Sequence, residues 1–363
     1  MKKFILLLFI LTQINAPVFP QAQKEMIDNL VQAYTNLNKF SGNILIAEKG
    51  KVVFEKSYGF ADREFDIPNS KTTRFRIASL TKQFTAVLIM QLVESGKIDL
   101  DATITQYLPY YKKETGDRIT IHQLLTHTSG LPEYTERDDF FPDISKHTYT
   151  HKAFIQQFCS DSLLAKPGTG YKYSNTGYYI LGAIIEEVTK KSYAEVLQKN
   201  ILAVAEMKNT GIENDSTIIK EIAKGYTFNS GRYLNADYID LSSTIFSAGA
   251  VYSTTADLLL WDKALYADKL LTKKSRELMF TPVLSNYGYG VGITKFIVPG
   301  LNKEMHFIFH QGAINGFRSI MTHIVNENIL IVILCNNFDT DLNPINNGIF
   351  SILHHQPYTI PKE

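Results

Sequence analysis

Strand-like runs lie near both ends of this chain and helix-like runs fill most of the interval between them. That distribution restricts the fold more than any other feature. Residues 42–47 and 52–59 flank the turn Glu48-Lys49-Gly50-Lys51, a hairpin signature. Residues 74–77 add a third, short strand. Helical patterns then dominate from Ser79 to about Thr244, at 80–94, 120–126, 152–159, 175–189 and 193–201. Strand patterns return at 287–297, 304–309, 318–325 and 329–335, the last two joined by Asn326-Glu327-Asn328. Helix-like stretches at 24–37 and 343–354 bracket the whole. The economical arrangement is a mixed α/β (α+β) fold in which early and late strands share one antiparallel sheet. The sheet is antiparallel because its short connections are hairpins rather than helical crossovers. The terminal helices cover it. Residues 23–78 together with 245–363 would form the sheet lobe and 79–244 an inserted helical lobe, with a cleft between.

The boundary of the two lobes falls on Arg76-Ile77-Ala78-Ser79-Leu80-Thr81-Lys82. A strand-like run there gives way to a helical one, with Phe84, Val87, Leu88, Gln91 and Leu92 near helical spacing and Gly96 as a stop. Ser79 and Lys82 are three apart and share one helix face. The first turn also offers free N–H groups and the positive end of the helix dipole. A serine there, one turn from an amine, can be a nucleophile beside its base. The same pattern also reads as an N-cap serine and a solvated lysine.

The first 22 or so residues read as a secretion signal: Lys2 and Lys3, an apolar run from Phe4 to Leu11, then small and polar residues through Ala16 and Ala22. The run is short for a bilayer span. Removing it takes away two lysines, so the formal charge of +1 becomes −1. A near-neutral chain with mixed charges gives no sign of nucleic acid or a membrane surface as partner. Export to a periplasm or the extracellular space is expected, without a membrane span in the mature chain. A Cys159–Cys335 disulfide is left open, with two buried free thiols the favoured state, and no Cys/His spacing suits zinc. His354 and His355 read as surface residues. Oligomeric state is left open.

Two further segments can carry chemistry. Tyr173-Ser174-Asn175 follows the glycine-marked loop from Lys166-Pro167-Gly168 to Lys172 and opens a helix. A tyrosine near a lysine can have a lowered phenol pKa and take a proton from a serine. An asparagine amide can hold both a lysine and a substrate carbonyl. Tyr-x-Asn also occurs at Tyr34 and Tyr233, and the loop-to-helix context favours Tyr173. His310-Gln311-Gly312-Ala313 ends the strand-like run 304–309. Gly312 would let a substrate approach the backbone closely, and the N–H groups of Ala313 and Ser79 could form an oxyanion hole. The plainer reading is a strand-terminal histidine before a turn glycine.

Taken in order, Ser79-Leu80-Thr81-Lys82, Tyr173-Ser174-Asn175 and His310-Gln311-Gly312 resemble the motifs of class C β-lactamases, serine D,D-peptidases and related esterases. The runs from Leu124 to Pro132 (LLTHTSGLP) and from Ser247 to Thr254 (SAGAVYST) are similar to the same family. The resemblance spans residues 41–337. It implies the β-lactamase/transpeptidase-like fold, with Ser79 acylated, Lys82 and Tyr173 sharing its proton, and Asn175 orienting Lys82 and the substrate amide. His310 and Gly312 would stand on the cleft-lining strand, and Ser79 and Ala313 would hold the oxyanion. No metal or organic cofactor is implied.

His310 departs from the lysine that usually opens the third motif in β-lactamases. A lysine and a hydroxyl would fix a substrate carboxylate, whereas a histidine is mostly neutral at pH 7. The reading therefore turns toward a secreted serine hydrolase of carboxypeptidase or esterase type. It would cleave D-amino-acyl peptides, including peptidoglycan-derived ones, or small esters and amides. A β-lactamase is the alternative among enzymes, and a penicillin-recognising sensor or non-catalytic binding protein the alternative of another class. His127 and Ser129 are expected to pin a turn under the cleft. Residues 134–151 read as a substrate-facing or ordinary surface loop, and Gly288 to Gly292 as sheet.

Overall fold

The computed structural model describes residues 19–214 and 216–362. Most of the stretch read as an export signal, residues 1–18, lies outside the described residues. Among the described residues the first element is helix α1 (Gln21–Asn36). Strands β1 (Gly42–Glu48) and β2 (Lys51–Tyr58) follow as the expected hairpin. After them come helices α2 (Thr81–Glu94), α3 (Asn175–Thr189) and α4 (Thr255–Tyr266). The late strands are β3 (Gly292–Val298), β4 (Lys303–Ile314), β5 (Phe317–Ile324) and β6 (Ile329–Cys335), and α5 (Asn343–Leu353) closes the chain.

Early and late strands do join in one sheet, in the order β3-β4-β5-β6-β1-β2, antiparallel throughout. The join is β1 against β6, with Ile44 opposite Ile333 and Ile46 opposite Ile331. Ile44 to Ala47 of β1 and Ile329 to Leu334 of β6 are unbroken runs of Ile, Leu, Val and Ala, as expected of strands covered on both faces. Their side chains alternate between two cores. Ile44, Ile46, Ile331 and Ile333 enter a core with Ile27, Leu30 and Val31 of α1 and Ile345, Ile349 and Ile352 of α5. Leu45, Ala47, Leu330, Val332 and Leu334 enter a second core shared with α2, α3 and α4. Edge strand β2 is buried only at Phe54 and Tyr58 and is otherwise exposed or half-buried.

Helix α2 is buried on every side from Thr81 to Met90 because it is wedged between the sheet and the helical lobe. Such a helix has no polar face, which holds its one lysine away from water.

Four expectations change. The short strand at 74–77 forms at Phe75–Arg76 but leaves the main sheet. It pairs with Tyr252 and Ser253, and Gly211–Ile212 completes a small separate sheet. The stretch read as wholly helical also holds the hairpin Tyr226–Asn229 and Arg232–Asn235. Helix α4 and a shorter one, Lys273–Met279, fill a region to which the sequence reading assigned no element. The glycine run at 288–292 is an irregular bend and not sheet until Gly292. Gly290 sits at φ 73° with its Cα facing the Lys82 carbonyl, where a Cβ would come within 2.7 Å.

Cys159 and Cys335 are both buried free thiols. Among the described residues no helix is long and apolar enough to cross a membrane. Ile333 has no exposed surface, and Ile333→Ala is expected to cost about 2–5 kcal/mol in urea denaturation. A loss below about 1 kcal/mol would mean that the β1–β6 join does not close the core.

Candidate active site

Ser79 lies in a single tight turn, Ala78–Leu80, that feeds α2. Ala78 is held at φ 48°, a left-handed conformation that costs a residue with a Cβ about 1–3 kcal/mol. Ser79 makes no capping bond, so the N-cap reading of that serine fails. The solvated reading of Lys82 fails too, because Lys82 has no exposed surface.

The Lys82 amine has three neighbours. Nζ donates to Asn175 Oδ1 at 2.6 Å and to the Ala248 carbonyl at 2.8 Å, and it lies 3.1 Å from Ser79 Oγ. The two carbonyl oxygens can only accept. They therefore take two N–H bonds, and the remaining tetrahedral position of the nitrogen faces the serine hydroxyl. Burial lowers the Lys82 pKa to about 7, against an upward pull from Glu133. Near neutral pH a large share of Lys82 is the free amine, whose lone pair points at Ser79.

Tyr173 is half-buried, with its hydroxyl oxygen out of contact with water and its ring 4.9 Å from Lys82 Nζ. Burial pushes its phenol pKa well up, and only the facing Ser79 hydroxyl draws it down. This corrects the expectation of a lowered phenol pKa. Desolvation dominates, so Tyr173 rests as a neutral phenol. Its hydroxyl makes no completed hydrogen bond. The other two Tyr-x-Asn runs lie away from the cleft, on α1 and in the 226–235 hairpin.

His127 holds this segment from below. Its carbonyl accepts the Lys172 N–H at 2.9 Å and its Nδ1 accepts the Ser174 N–H at 3.0 Å, so the two bonds bracket Tyr173. Because Nδ1 accepts, the ring proton is on Nε2. Ser129 Oγ accepts the Leu131 N–H at 3.3 Å. Both residues fasten the turn. Residues 134–151 do not line the cleft, contrary to the substrate-facing option, and Tyr134, Phe140 and Ile144 are core residues.

His310, Gly312 and Ala313 stand on β4, which continues to Ile314 and does not stop at Phe309. Gly312 is thus a strand glycine and not a turn glycine. A Cβ on it would lie 2.4 Å from the Ile77 carbonyl and 2.3 Å from Ser319 Oγ, so its absence lets β4 lie against the Ser79 turn. The register does the rest. Ile314 pairs with Phe317 at the end of a two-residue hairpin loop and Ala313 with Arg318. In such a hairpin the flanking pair is hydrogen-bonded and the next is not. The Ala313 N–H therefore points away from β5. The neighbour on that side, β3, begins only opposite Phe309, so it does not reach Ala313. Ala313 and Ser79 thereby present backbone donors to one cleft.

Burial, with Lys82 nearby, lowers the His310 pKa to about 3, so the ring is neutral. Its Nδ1 donates to the Gln311 carbonyl at 2.6 Å, and Nε2 accepts from the Tyr287 hydroxyl at 2.9 Å. The cleft has a volume of about 820 Å³ and is walled by Tyr171, Tyr173, Asn175, Tyr287 and the β4 edge. Its charged lining is Arg318, Asp339 and Asp341. Arg318 Nε is engaged by the Phe338 carbonyl at 2.7 Å. Among the described residues no group of three or more His, Cys, Asp or Glu could hold a metal ion. Sequence reasoning had missed Glu133, Ala248 and Tyr287. Glu133 and Ala248 lie next to or inside the two supporting motifs, which was the available signal. Tyr287 carried none.

A buried lysine against a serine at a strand-to-helix turn, with one backbone donor from that turn and one from a sheet edge, defines a serine hydrolase of the β-lactamase fold. The chain belongs to the beta-lactamase family: the family model described as Beta-lactamase matches residues 27–351. Among curated proteins it is similar to penicillin-binding protein 4* of Bacillus subtilis, 30% identical over 366 aligned positions that cover 94% of this chain and 78% of that one. Among solved structures it is similar to a penicillin-binding protein from Bacillus halodurans (TM-score 0.75, 26% identity, 90% of this chain and 98% of that one). It is likewise similar to the D-amino acid amidase of Ochrobactrum anthropi SV3 (TM-score 0.78, 25% identity, 92% and 98%).

Gly312→Ala is expected to push β4 off the Ser79 turn and to lower stability by about 1–3 kcal/mol in thermal or urea unfolding. Unchanged stability would mean that the strand and turn are not in close contact.

Proposed function

We propose that this protein is an exported serine hydrolase that forms an acyl-enzyme on Ser79 and cleaves D-amino-acyl peptides or small esters and amides. The observation that carries the reading is the set of contacts at Lys82, which leaves the amine lone pair facing the Ser79 hydroxyl.

Ser79 Oγ attacks the substrate carbonyl carbon and gives its proton to the Lys82 amine. The carbonyl oxygen becomes an oxyanion between the N–H groups of Ser79 and Ala313. Collapse of this intermediate breaks the bond to the leaving amine or alcohol. The proton held by Lys82 passes to that group through the neutral Tyr173 hydroxyl. Asn175 holds Lys82 by its carbonyl. Water then attacks the acyl carbon, gives a proton to the same lysine–tyrosine pair, and releases the acid with Ser79 restored.

Three features support the substrate class. The relatives include proteins named as penicillin-binding and as a D-amino acid amidase. The third motif supplies a neutral His310 in place of a fixed cation, which favours a peptide, amide or ester over a β-lactam carboxylate. The unpaired outer edge of β4 from His310 to Ala313 can align an extended peptide backbone, including one derived from peptidoglycan. Intact Ser79, Lys82 and Tyr173 argue for an enzyme over a silent binding protein. Export rests on the pattern of residues 1–22, and N-terminal sequencing of the mature protein would test it. No cofactor is required by this scheme.

Intact-mass spectrometry of the protein with a penicillin and with an activated ester is the direct test. A stable or transient adduct absent from Ser79→Ala is the expected result. A protein that binds these compounds and never acylates would sink the reading, and fast turnover of the penicillin would make it a β-lactamase. Because the free amine is the base, acylation should rise with pH through about 7 and fall about tenfold per unit below it. Lys82→Arg keeps the charge and removes the base, and should lower the acylation rate by about 10²-fold or more.

A further inference from the structure

The carboxylate of Glu133 takes no part in the steps above, yet it is 6% exposed and sits within the site. Its Oε2 accepts the Asn175 backbone N–H, and its Oε1 accepts the Asn175 side-chain NH2 at 3.1 Å. Thr135 adds its N–H at 3.1 Å and its hydroxyl at 2.7 Å. Both oxygens are thus spent on donors, a pattern that an ionised carboxylate satisfies and an amide does not.

This arrangement decides which way the Asn175 amide faces. With its NH2 on Glu133, its carbonyl oxygen is the end that meets Lys82. The reverse orientation would set donor against donor at Lys82 and oxygen against oxygen at Glu133. The electrostatics point the same way. Lys82 is faced by Ser79 from its own turn, by Tyr173, Asn175 and Tyr178 from the start of α3, by the Ala248 carbonyl, by His127, and by His310 of β4. Burial holds both histidines below and both tyrosines above their usual ranges, so these four rings are neutral near pH 7. Glu133 is the carboxylate whose charge reaches the amine.

We propose that Glu133 is a positioning residue that fixes the Asn175 amide toward Lys82 and, by its charge, sets the pH range over which Ser79 is acylated. The inference rests on the acyl-enzyme reading above. A purely structural role is the competing account, since Glu133 also caps the turn Tyr134–Glu136 through the Thr135 N–H. Loss of a cap lowers the amount of folded protein. It does not move a pH midpoint.

The test is the pH profile of kcat/KM for a p-nitrophenyl ester in wild type, Glu133→Gln and Glu133→Asp, with intact mass to confirm the adduct. In Glu133→Gln one oxygen becomes a donor, Asn175 loses its orientation and Lys82 loses the charge. The rate on the high-pH plateau should fall about 10- to 100-fold. The acid limb should move to lower pH by about half a unit or more. Glu133→Asp keeps the charge but cannot span both Asn175 donors, so it should lose rate while its midpoint stays near that of wild type. A Glu133→Gln midpoint equal to wild type overturns the proposal whatever its rate. If Glu133→Gln does not fold, Glu133→Asp decides: a wild-type rate overturns the proposal. A wild-type protein that no ester acylates overturns the proposed function and this inference with it. A wild type acylated at Ser79 beside an indifferent Glu133→Gln overturns this inference alone.

Discussion

A primary amine without exposed surface must find an acceptor for each N–H it keeps, or lose a proton. Lys82 does both. It meets two carbonyl oxygens, and burial brings its pKa close to 7. Most of the site follows from placing those two oxygens. One comes from Asn175 at the start of α3 and the other from Ala248, which precedes the strand Val251–Ser253. Each lies far from Lys82 in the chain, and neither can hold its position unless the helical lobe is packed against α2. The apolar surroundings that make α2 a core helix are therefore what bring the pKa of its lysine down to about 7.

The second dependence is the contact between β4 and the Ser79 turn. Ala78 is held left-handed, and Gly312 has no Cβ to keep the strand away. Ser319, on the neighbouring strand, donates to the Ile77 carbonyl at 2.8 Å and locks the approach. The sheet edge and the helix start then present donors to the same small volume. This edge is free because β3 stops short, so the length of one strand opens the cleft beside another.

The elements most legible in the sequence were those whose periodicity agrees with their burial. The β1–β2 hairpin, the late strands and the terminal helices are of this kind. Helix α4 has Leu258, Trp261 and Leu265 at helical spacing after a Thr254 cap, a pattern that was present in a region to which the sequence reading assigned no element. The pair Phe75–Arg76 is too short for its pattern to say which sheet it joins. The glycines at 288 to 292 suggested extended chain, while Gly290 is placed by the Lys82 carbonyl against it. The Tyr173 phenol was misjudged because proximity to a lysine is visible in motifs and desolvation is not.

The sequence by itself picked out the candidate nucleophile and its neighbours. Ser79 and Lys82 share one helix face by their spacing, whereas Tyr173 with Asn175 and His310 with Gly312 stood out by context and by the ordered resemblance to family motifs, since Tyr-x-Asn occurs three times in the chain. It also determined the two-ended sheet, because unbroken apolar runs mark the strands that can be covered on both faces. Only the tertiary structure decided the protonation of these groups and the supporting contacts. The neutral His310, the neutral Tyr173 and the amine of Lys82 each owe their state to exclusion from water. That exclusion is produced by residues such as Tyr178 and Tyr287, brought in from distant segments. Desolvation depends on everything that surrounds an atom, and a linear pattern records only what is bonded next to it.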